Sequence, residues 1–453
     1  MQKGTKKRRR KRQRGSMIAA TLIGSCIALL FFVWVFVSFQ ALILESQSAV
    51  SSSHNVIGPG HNVANIVRQI ENAFVPGNNA GNKVQKMEGG ALQSGIQPYQ
   101  SPLLIFTCSR ANYLTETLDN IYSSIPTTCV MGCPIVVSQD KDIPEVTKVI
   151  ETFKAKFEAK GIPFYHLVHP TTTNLRGNAY NLLAVHYGWA LRTLFDGKAY
   201  DKYTLPDRVI ILEEDLRIAP DFFDYFEATA PLLDSDPKLL AVSAFNDNGY
   251  SSQVSDAKRL LRSDFFPGLG WMMTRNTWVN DLGAKWPTGY WDDWLREPQQ
   301  RQNRQFIRPE ITRTFHFGAK GGASGNQFGG NLNRVMLNTA PIEWKSEDLS
   351  YLEPEKFDND YAHQVASAKL VHSRNEALEQ VNSGNNARIE YKGIDGFRNI
   401  ARQFNLMTDE KAGIFRTAYK GVVETRPNGG NFVYLTPPFE ELRASFGDKW
   451  PNQ

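Results

Sequence analysis

The pattern of apolar and polar positions changes character three times along the chain. Residues 16–44 carry no charged side chain, and MIAATLIGSCIALLFFVWVFVSF (17–39) is almost unbroken apolar sequence. At about 1.5 Å of rise per residue, such a run is long enough to cross a bilayer as a helix. Residues 45–100 are rich in Gly, Ser and Asn with few aromatics, the composition of a flexible stem, with one short helix expected around Val63–Phe74. From Leu103 the pattern alternates between short apolar runs and amphipathic stretches. LLIFTC (103–108), PIVVSQD (134–140), PFYHLV (163–168) and RVIILEED (208–215) read as strands. Between them NYLTETLDNIYSSI, PEVTKVIETFKAKFEAKG (144–161) and a segment from about Gly177 to Phe195 read as helices. Continuous apolar strands separated by helices predict an α/β fold with a parallel sheet covered on both faces. In such sheets ligands bind beyond the carboxyl ends of the strands. Three strand ends are therefore singled out: Cys108-Ser109-Arg110, Ser138-Gln139-Asp140 and Glu213-Glu214-Asp215.

After the AFNDNG turn the regularity weakens, with a Gly/Pro/aromatic stretch at SDFFPGLGW (263–271) and an aromatic, acidic one at KWPTGYWDDWLR (285–296). Past about Ser346 short strands are expected near Ala387–Tyr391 and Asn431–Leu435. The chain thus divides into a tail (1–15), a membrane anchor (16–44), a stem (45–100), a larger α/β domain (101–345) and a smaller α+β module (346–453).

Charge sharpens the anchor. The net charge of +5 misleads, because the first 14 residues hold nine Lys or Arg and no acid. Without them 42 basic residues face 46 acidic ones, a formal charge of −4. The body is mildly acidic, which argues against nucleic-acid binding. Basic residues directly before the span keep the N-terminus cytoplasmic, so the reading is a single-pass type II protein. A cleaved signal peptide would have a shorter apolar region ending in small residues. No Asn-X-Ser/Thr sequon occurs. Of four cysteines, Cys26 falls in the span, leaving Cys108, Cys129 and Cys133, an odd number. Cys129 and Cys133 have the spacing of a zinc half-site, but no second pair follows.

Glu213, Glu214 and Asp215 pose the main chemical question, because adjacent carboxylates repel. They form either a solvated turn or a site that needs a cation or a proton. A hard divalent ion with oxygen ligands, Mg²⁺ or Mn²⁺, fits an acidic strand end that presents a diphosphate. Trp291-Asp292-Asp293-Trp294 is a surface loop, or a place where partial desolvation between aromatics raises a carboxylate's basicity for general-base work. His186 lies on the amphipathic helix beside Leu182 and Trp189, as a core histidine or a ligand contact. Arg110 is either a surface ion-pair residue or a nucleotide contact.

Taken together, VIILEEDLRIAPDFFDYFEATAPLLDSDPKLLAVSAFNDNG, SDFFPGLGW, YWDDWLR, RPEITRTFHFG and YKGVV resemble the N-acetylglucosaminyltransferase I family from about Leu103 to about Pro438. The resemblance implies a GT-A fold in a Golgi type II membrane protein with its catalytic domain in the lumen. It implies Mn²⁺-dependent, inverting transfer of GlcNAc from UDP-GlcNAc, in β-1,2 linkage, to the α-1,3-arm mannose of high-mannose N-glycans. Asp215 matches the family's metal ligand, and Glu213 and Glu214 match donor contacts, with Glu at 214 where the family usually has Asp. Arg110 and Asp140 match residues that hold the uridine, and His186 matches a donor contact. Asp292 matches the catalytic base, with Trp291, Leu269 and Arg296 lining the pocket. Ser324 falls in GGASGNQFGG, which departs from the family's usual loop. A family disulfide corresponds to Ala241 and Phe306 here. Cys108 matches a bridged cysteine whose usual partner position is Lys141, so a substitute bridge to Cys129 or Cys133 is expected. A β-1,2-GlcNAc-transferase acting on O-linked mannose, and a non-catalytic Golgi lectin, are the alternatives.

Overall fold

The structure is a computed structural model that describes residues 101–127, 133–170, 178–196, 206–318 and 329–451. The anticipated membrane span, the stem with its short helix at 63–74, and Ser324 lie outside the described residues. Among the described residues no helix is long and apolar enough to cross a membrane. All of them belong to one compact unit, Leu92–Gln453.

The first half of that unit follows the alternation in the sequence. Strands β1 (Leu103–Thr107), β2 (Ile135–Asp140), β3 (Phe164–His169) and β4 (Arg208–Glu213) alternate with helices α1 (Ala111–Ser124), α2 (Pro144–Ala159) and α3 (Ala179–Phe195). These strands pair in parallel, β3-β2-β1-β4. Their unbroken apolar runs have a simple cause, since each face meets a different core. Leu103, Ile105, Ile135, Val137, Ile210 and Leu212 pack with α1 and α2, through residues such as Leu118 and Phe153. The intervening Leu104, Phe106, Val136, Val209 and Ile211 pack with Ala184, Tyr187 and Leu191 of α3. Burying each such side chain contributes about 1.5–3 kcal/mol.

The sheet is mixed, however, rather than wholly parallel. After β5 (Leu216–Ile218) and α4 (Phe222–Ser235) come β6 (Leu239–Ser243), β7 (Leu260–Ser263), β8 (Trp271–Thr274), β9 (Gln305–Pro309) and β10 (Thr314–His316). The full order is β3-β2-β1-β4-β8-β6-β9-β7, with β8 antiparallel to both β4 and β6. Only β6 and β9 pair in parallel in this half. These strands are short and lie among Gly, Pro and aromatic residues, so no periodicity announces them. Strands β5 and β10 form a separate antiparallel pair beneath the cleft.

Ala241 and Phe306 are direct partners across β6 and β9, both fully buried, so an apolar pair stands at the two positions matched to a family disulfide. The bridge expected from Cys108 is absent. Cys108 keeps a free thiol, while Cys133 is disulfide-bonded to a partner outside the described residues. Topology explains the separation: β1 and β2 run parallel, Cys108 follows the carboxyl end of β1, and Cys133 precedes β2. A strand's length, roughly 17–20 Å at 3.3 Å per residue, lies between them, whereas a disulfide needs Cα atoms within about 7 Å. A zinc half-site at Cys133 is likewise excluded, because its thiol is consumed.

Beyond residue 346, α5 (Trp291–Arg296) having come earlier, the chain forms α6 (Pro354–Ser367), β11 (Lys369–Val371), α7 (Arg374–Asn382), β12 (Ala387–Glu390) and α8 (Gly393–Gln403). A small hairpin, β13 (Glu410–Lys411) and β14 (Ile414–Phe415), precedes β15 (Val423–Thr425), β16 (Val433–Thr436) and α9 (Phe439–Phe446). The second sheet runs β11-β12-β16-β15 over a core that includes Ala377, Phe397 and Leu435.

Candidate active site

A cleft of about 330 Å³ opens at the carboxyl ends of β1, β2 and β4. Arg110, Asp140 and His186 line one side of it, and the Glu213-Glu214-Asp215 turn lines its floor. Leu269, Trp291, Asp292 and Arg296 line the other side. Every described residue that the resemblance placed in the site therefore lines this one cleft.

The three carboxylates coexist because the fold gives each its own partner. Strand β4 ends at Glu213, and the Glu214 amide bonds back to the Phe106 carbonyl (3.0 Å), which splays the side chains. Tyr187 donates its hydroxyl to Glu213 Oε1 at 2.6 Å. Arg110 donates from Nε to Glu214 Oε1 (2.7 Å) and from Nη2 to Asp215 Oδ2 (2.8 Å). His316 Nε2 lies 3.4 Å from the same Asp215 oxygen. Burial and the neighbouring Asp215 charge raise the pKa of Glu213, against the Tyr187 bond. Burial pushes Glu214 up to about 7 even though Arg110 opposes it. Asp215 goes the other way: burial disfavours its charge, but His316 and Arg110 outweigh that and hold it below the ordinary carboxylate range. His316 is correspondingly raised, its bond to Asp215 outweighing burial. Asp215 is thus the member of the trio whose charge its surroundings favour most.

Asp215 also fits a hard cation. Its Oδ1 is buried and accepts no hydrogen bond. A β-carbon at Gly318 would lie 2.4 Å from Oδ2, so glycine there leaves the carboxylate its space. Among the described residues no group of three His, Cys, Asp or Glu stands together as a ready metal cage. Such a donor set would suit an ion held by one carboxylate and otherwise by water or phosphate oxygens.

On the β2 side of the cleft, Asp140 Oδ1 pairs with His169 Nδ1 at 2.9 Å. Burial opposes the Asp140 charge, but the hydrogen bond from His169 outweighs it and lowers its pKa. His186 bonds through Nε2 to Ser138 Oγ (2.8 Å) and stacks against His169. Burial drives its pKa down to about 3, so the ring is neutral.

The opposite wall is built from aromatic rings. Trp291 stacks on Tyr187 (4.5 Å) and Trp271 (5.7 Å), and Tyr187 in turn stacks on Phe106 (3.7 Å). This anchors the start of α5, which the chain enters through Tyr290 in the left-handed region (φ 47°). Asp292 is not the desolvated carboxylate that its flanking tryptophans suggest. Its side chain is 36% exposed and pairs with Arg296 Nη1 at 2.9 Å, as Asp293 does at 3.0 Å. Arg296 itself is buried, donating to the Phe266 carbonyl and lying over the Phe265 ring. Leu269 sits in a left-handed stretch between Gly268 and Gly270, pinned by the Thr314 hydroxyl on its carbonyl.

The family model of the GNT-I family matches residues 61–450. The chain belongs to the GNT-I family. It is a glycosyltransferase. An Arabidopsis thaliana protein named alpha-1,3-mannosyl-glycoprotein 2-beta-N-acetylglucosaminyltransferase is 39% identical over 349 residues, which is 77% of this chain and 76% of that one. Likeness to solved structures is much lower. The Pyrobaculum calidifontis mannosyltransferase PcManGT, in complex with GDP-Man and Mn2+, is 14% identical over 67% of this chain and 70% of its own, with a TM-score of 0.29. Residues 1–349 of S. aureus TarS are 12% identical over 47% of this chain and 59% of theirs, with a TM-score of 0.32.

Within this GNT-I family site, sequence reasoning overlooked Tyr187, His169 and His316. His316 sits in RPEITRTFHFG, one of the segments that carry the resemblance, yet only the fold shows it facing Asp215. Tyr187 reads as one of several apolar positions on its helix, and only its hydroxyl contact reveals a second role.

Proposed function

We propose that this GNT-I family enzyme transfers GlcNAc from UDP-GlcNAc, with inversion and in β-1,2 linkage, to the α-1,3-arm mannose of high-mannose N-glycans. The observation that carries the reading is a single cleft with an ionised Asp215 on its floor and the accessible Asp292 carboxylate on its wall. Asp140 and His186, held by His169 and Ser138, offer polar atoms to a uracil ring or ribose. Arg110, already turned toward the carboxylates, supplies positive charge where a diphosphate would lie. Asp215 would hold Mn²⁺, which when bound neutralises the departing nucleotide.

Asp292 accepts the proton of the mannose 2-hydroxyl as that oxygen bonds to the anomeric carbon. The bond from that carbon to the UDP oxygen breaks on the opposite face, and UDP leaves. Arg296 fixes the carboxylate's direction through its 2.9 Å contact. Trp291 and Leu269 shape the wall against which the acceptor packs, and holding both substrates in one cleft contributes much of the rate.

The basic tail and apolar span support a type II Golgi membrane protein with this unit in the lumen. The deciding experiment incubates the purified lumenal unit with Mn²⁺ and UDP-GlcNAc, offering either a five-mannose N-glycan or an O-mannosyl peptide. Modification of the N-glycan alone is the expected result. Modification of the peptide alone would transfer the reading to O-mannose, and no turnover with either would sink it.

A further inference from the structure

The AFNDNG turn plays no part in the chemistry above, yet it ends in the same cleft. Asp247 and Arg416 line the cleft together with Asp292 and Met407. Asp247 is buried, 3% exposed. Its Oδ1 pairs with Arg416 Nη1, while its Oδ2 is buried and accepts no hydrogen bond. A buried carboxylate oxygen without a donor is costly, about 1–3 kcal/mol or more for a charged group. Such an atom calls for an explanation, and in the lining of a cleft a bound ligand supplies one.

The turn holds Asp247 rigidly. On one side Asn246 Nδ2 donates to the Glu310 carbonyl (2.7 Å). On the other, Asn248 accepts from the Met407 amide (2.9 Å) and donates to Thr417 Oγ1 (3.1 Å). Arg416 is fixed just as firmly, by a second ion pair with Asp409 and by lying over Phe265, the ring that also lies under Arg296. The two arginines flank one phenylalanine, which ties the Asp247 pair mechanically to the Asp292 wall.

Position assigns this pair to the acceptor. Asp247 follows β6, four strands from β2, the strand that carries Asp140. At about 4.8 Å per strand that is about 19 Å across the sheet, with the Asp215 floor between. A donor occupying the β2–β4 half leaves the β6 end for the second substrate. Asp247 lines the cleft and is held there by its Arg416 ion pair, so its carboxylate is placed to accept from a hydroxyl of a neutral polyol.

We propose that Asp247 and Arg416 form a hydroxyl-reading subsite for the acceptor mannoside, and that Asp247 determines acceptor affinity without touching the donor. The inference rests on the transferase reading above and names the residues of its acceptor half.

The test compares the wild-type lumenal unit with D247A and D247N, using Mn²⁺, UDP-GlcNAc, the five-mannose glycan and a set of singly deoxygenated mannosides. D247A is expected to raise the acceptor KM at least tenfold, and D247N less, with the UDP Kd by titration calorimetry held within twofold. One deoxygenated mannoside, poor for the wild type, should lose no further affinity in D247A, as expected when both changes remove one contact. Thermal melts report whether each variant is folded, and D247N keeps the side chain's shape should D247A unfold. An unchanged acceptor KM in either folded variant overturns the inference, as does an equal rise in UDP Kd, the mark of a merely structural ion pair. If the wild type modifies no mannoside, the functional reading fails and takes this inference with it. A wild type that works while the folded variants keep its acceptor KM overturns the inference alone.

Discussion

Two groups of acids face the same cleft, one at the end of β4 and one at the start of α5, and the fold treats them in opposite ways. Glu214 and Asp215 are 5% and 2% exposed, whereas the side chains of Asp292 and Asp293 keep 36% and 44% of their surface. The buried acids are matched to fixed partners contributed by distant elements, Arg110 after β1, Tyr187 on α3 and His316 on β10. The exposed acids share one arginine from their own helix, Arg296. Under the proposed function, the contrast separates binding from proton transfer. A buried, pre-paired carboxylate is a rigid element of a binding site. A carboxylate open to the cleft can take a proton from a substrate and lose it to solvent.

Breaking the exposed side of that contrast should have the largest effect. Asp292→Asn is expected to lower kcat by about 10²–10⁴-fold, the range for loss of a general base. UDP-GlcNAc affinity should stay unchanged, because the buried acids are intact. Steady-state kinetics and titration calorimetry read the two parts, and a near-normal kcat would remove Asp292 from the role.

Breaking the buried side calls for a change that crowds Asp215 without altering its charge. Gly318→Ala places a β-carbon where Asp215 Oδ2 now lies, 2.4 Å away. Relief of such overpacking costs about 1–3 kcal/mol. The corresponding expectation is a ten- to hundredfold weaker Mn²⁺-dependent binding of UDP, with the protein still folded by thermal melt. Equal binding in G318A would show that the Asp215 geometry is not what the donor needs.

The neutral His186 sharpens the buried side further. Its pKa is about 3 in the folded protein against an ordinary 6.5. Between those values the unfolded chain binds a proton that the folded one refuses, so this group costs stability as pH falls below 6.5. His186→Gln removes that cost. Whatever stability gap separates wild type from H186Q at pH 7 should therefore narrow by about 2 kcal/mol at pH 5. Urea denaturation at the two pH values measures it, and a constant gap would mean that His186 is not held neutral.

Much of the parallel half of the fold was legible in the sequence. Unbroken apolar runs such as VIIL, flanked by helical periodicity, gave strands and helices whose ends agree within one or two residues with those observed. Strands β7 to β10 were not legible, because β-strands of three to five residues among Gly, Pro and aromatics show no period. The parallel pairing expected for β1 to β4 is observed, but the rest of the sheet was not legible: β8 inserts antiparallel between β4 and β6, and no local pattern encodes sheet order. In the cleft, Asp292 was identifiable beside its tryptophans, but its solvent access was not. The Cys108 bridge was misjudged because spacing in sequence ignores which end of a parallel sheet each cysteine occupies.

The sequence by itself determined the alternation of strand and helix, the placing of Glu213, Glu214 and Asp215 at a strand's end, and the family to which the chain belongs. Those are properties of neighbouring residues, and side-chain periodicity and motif record them directly. Only the tertiary structure decided which charges answer one another: Arg110 with Glu214, 104 positions away, and Arg416 with Asp247 across 169. Burial makes those pairings consequential, since a carboxylate out of water must find a partner. Which partner comes within reach is fixed by the order in which the strands assemble, and that order is not written in any one segment of the chain.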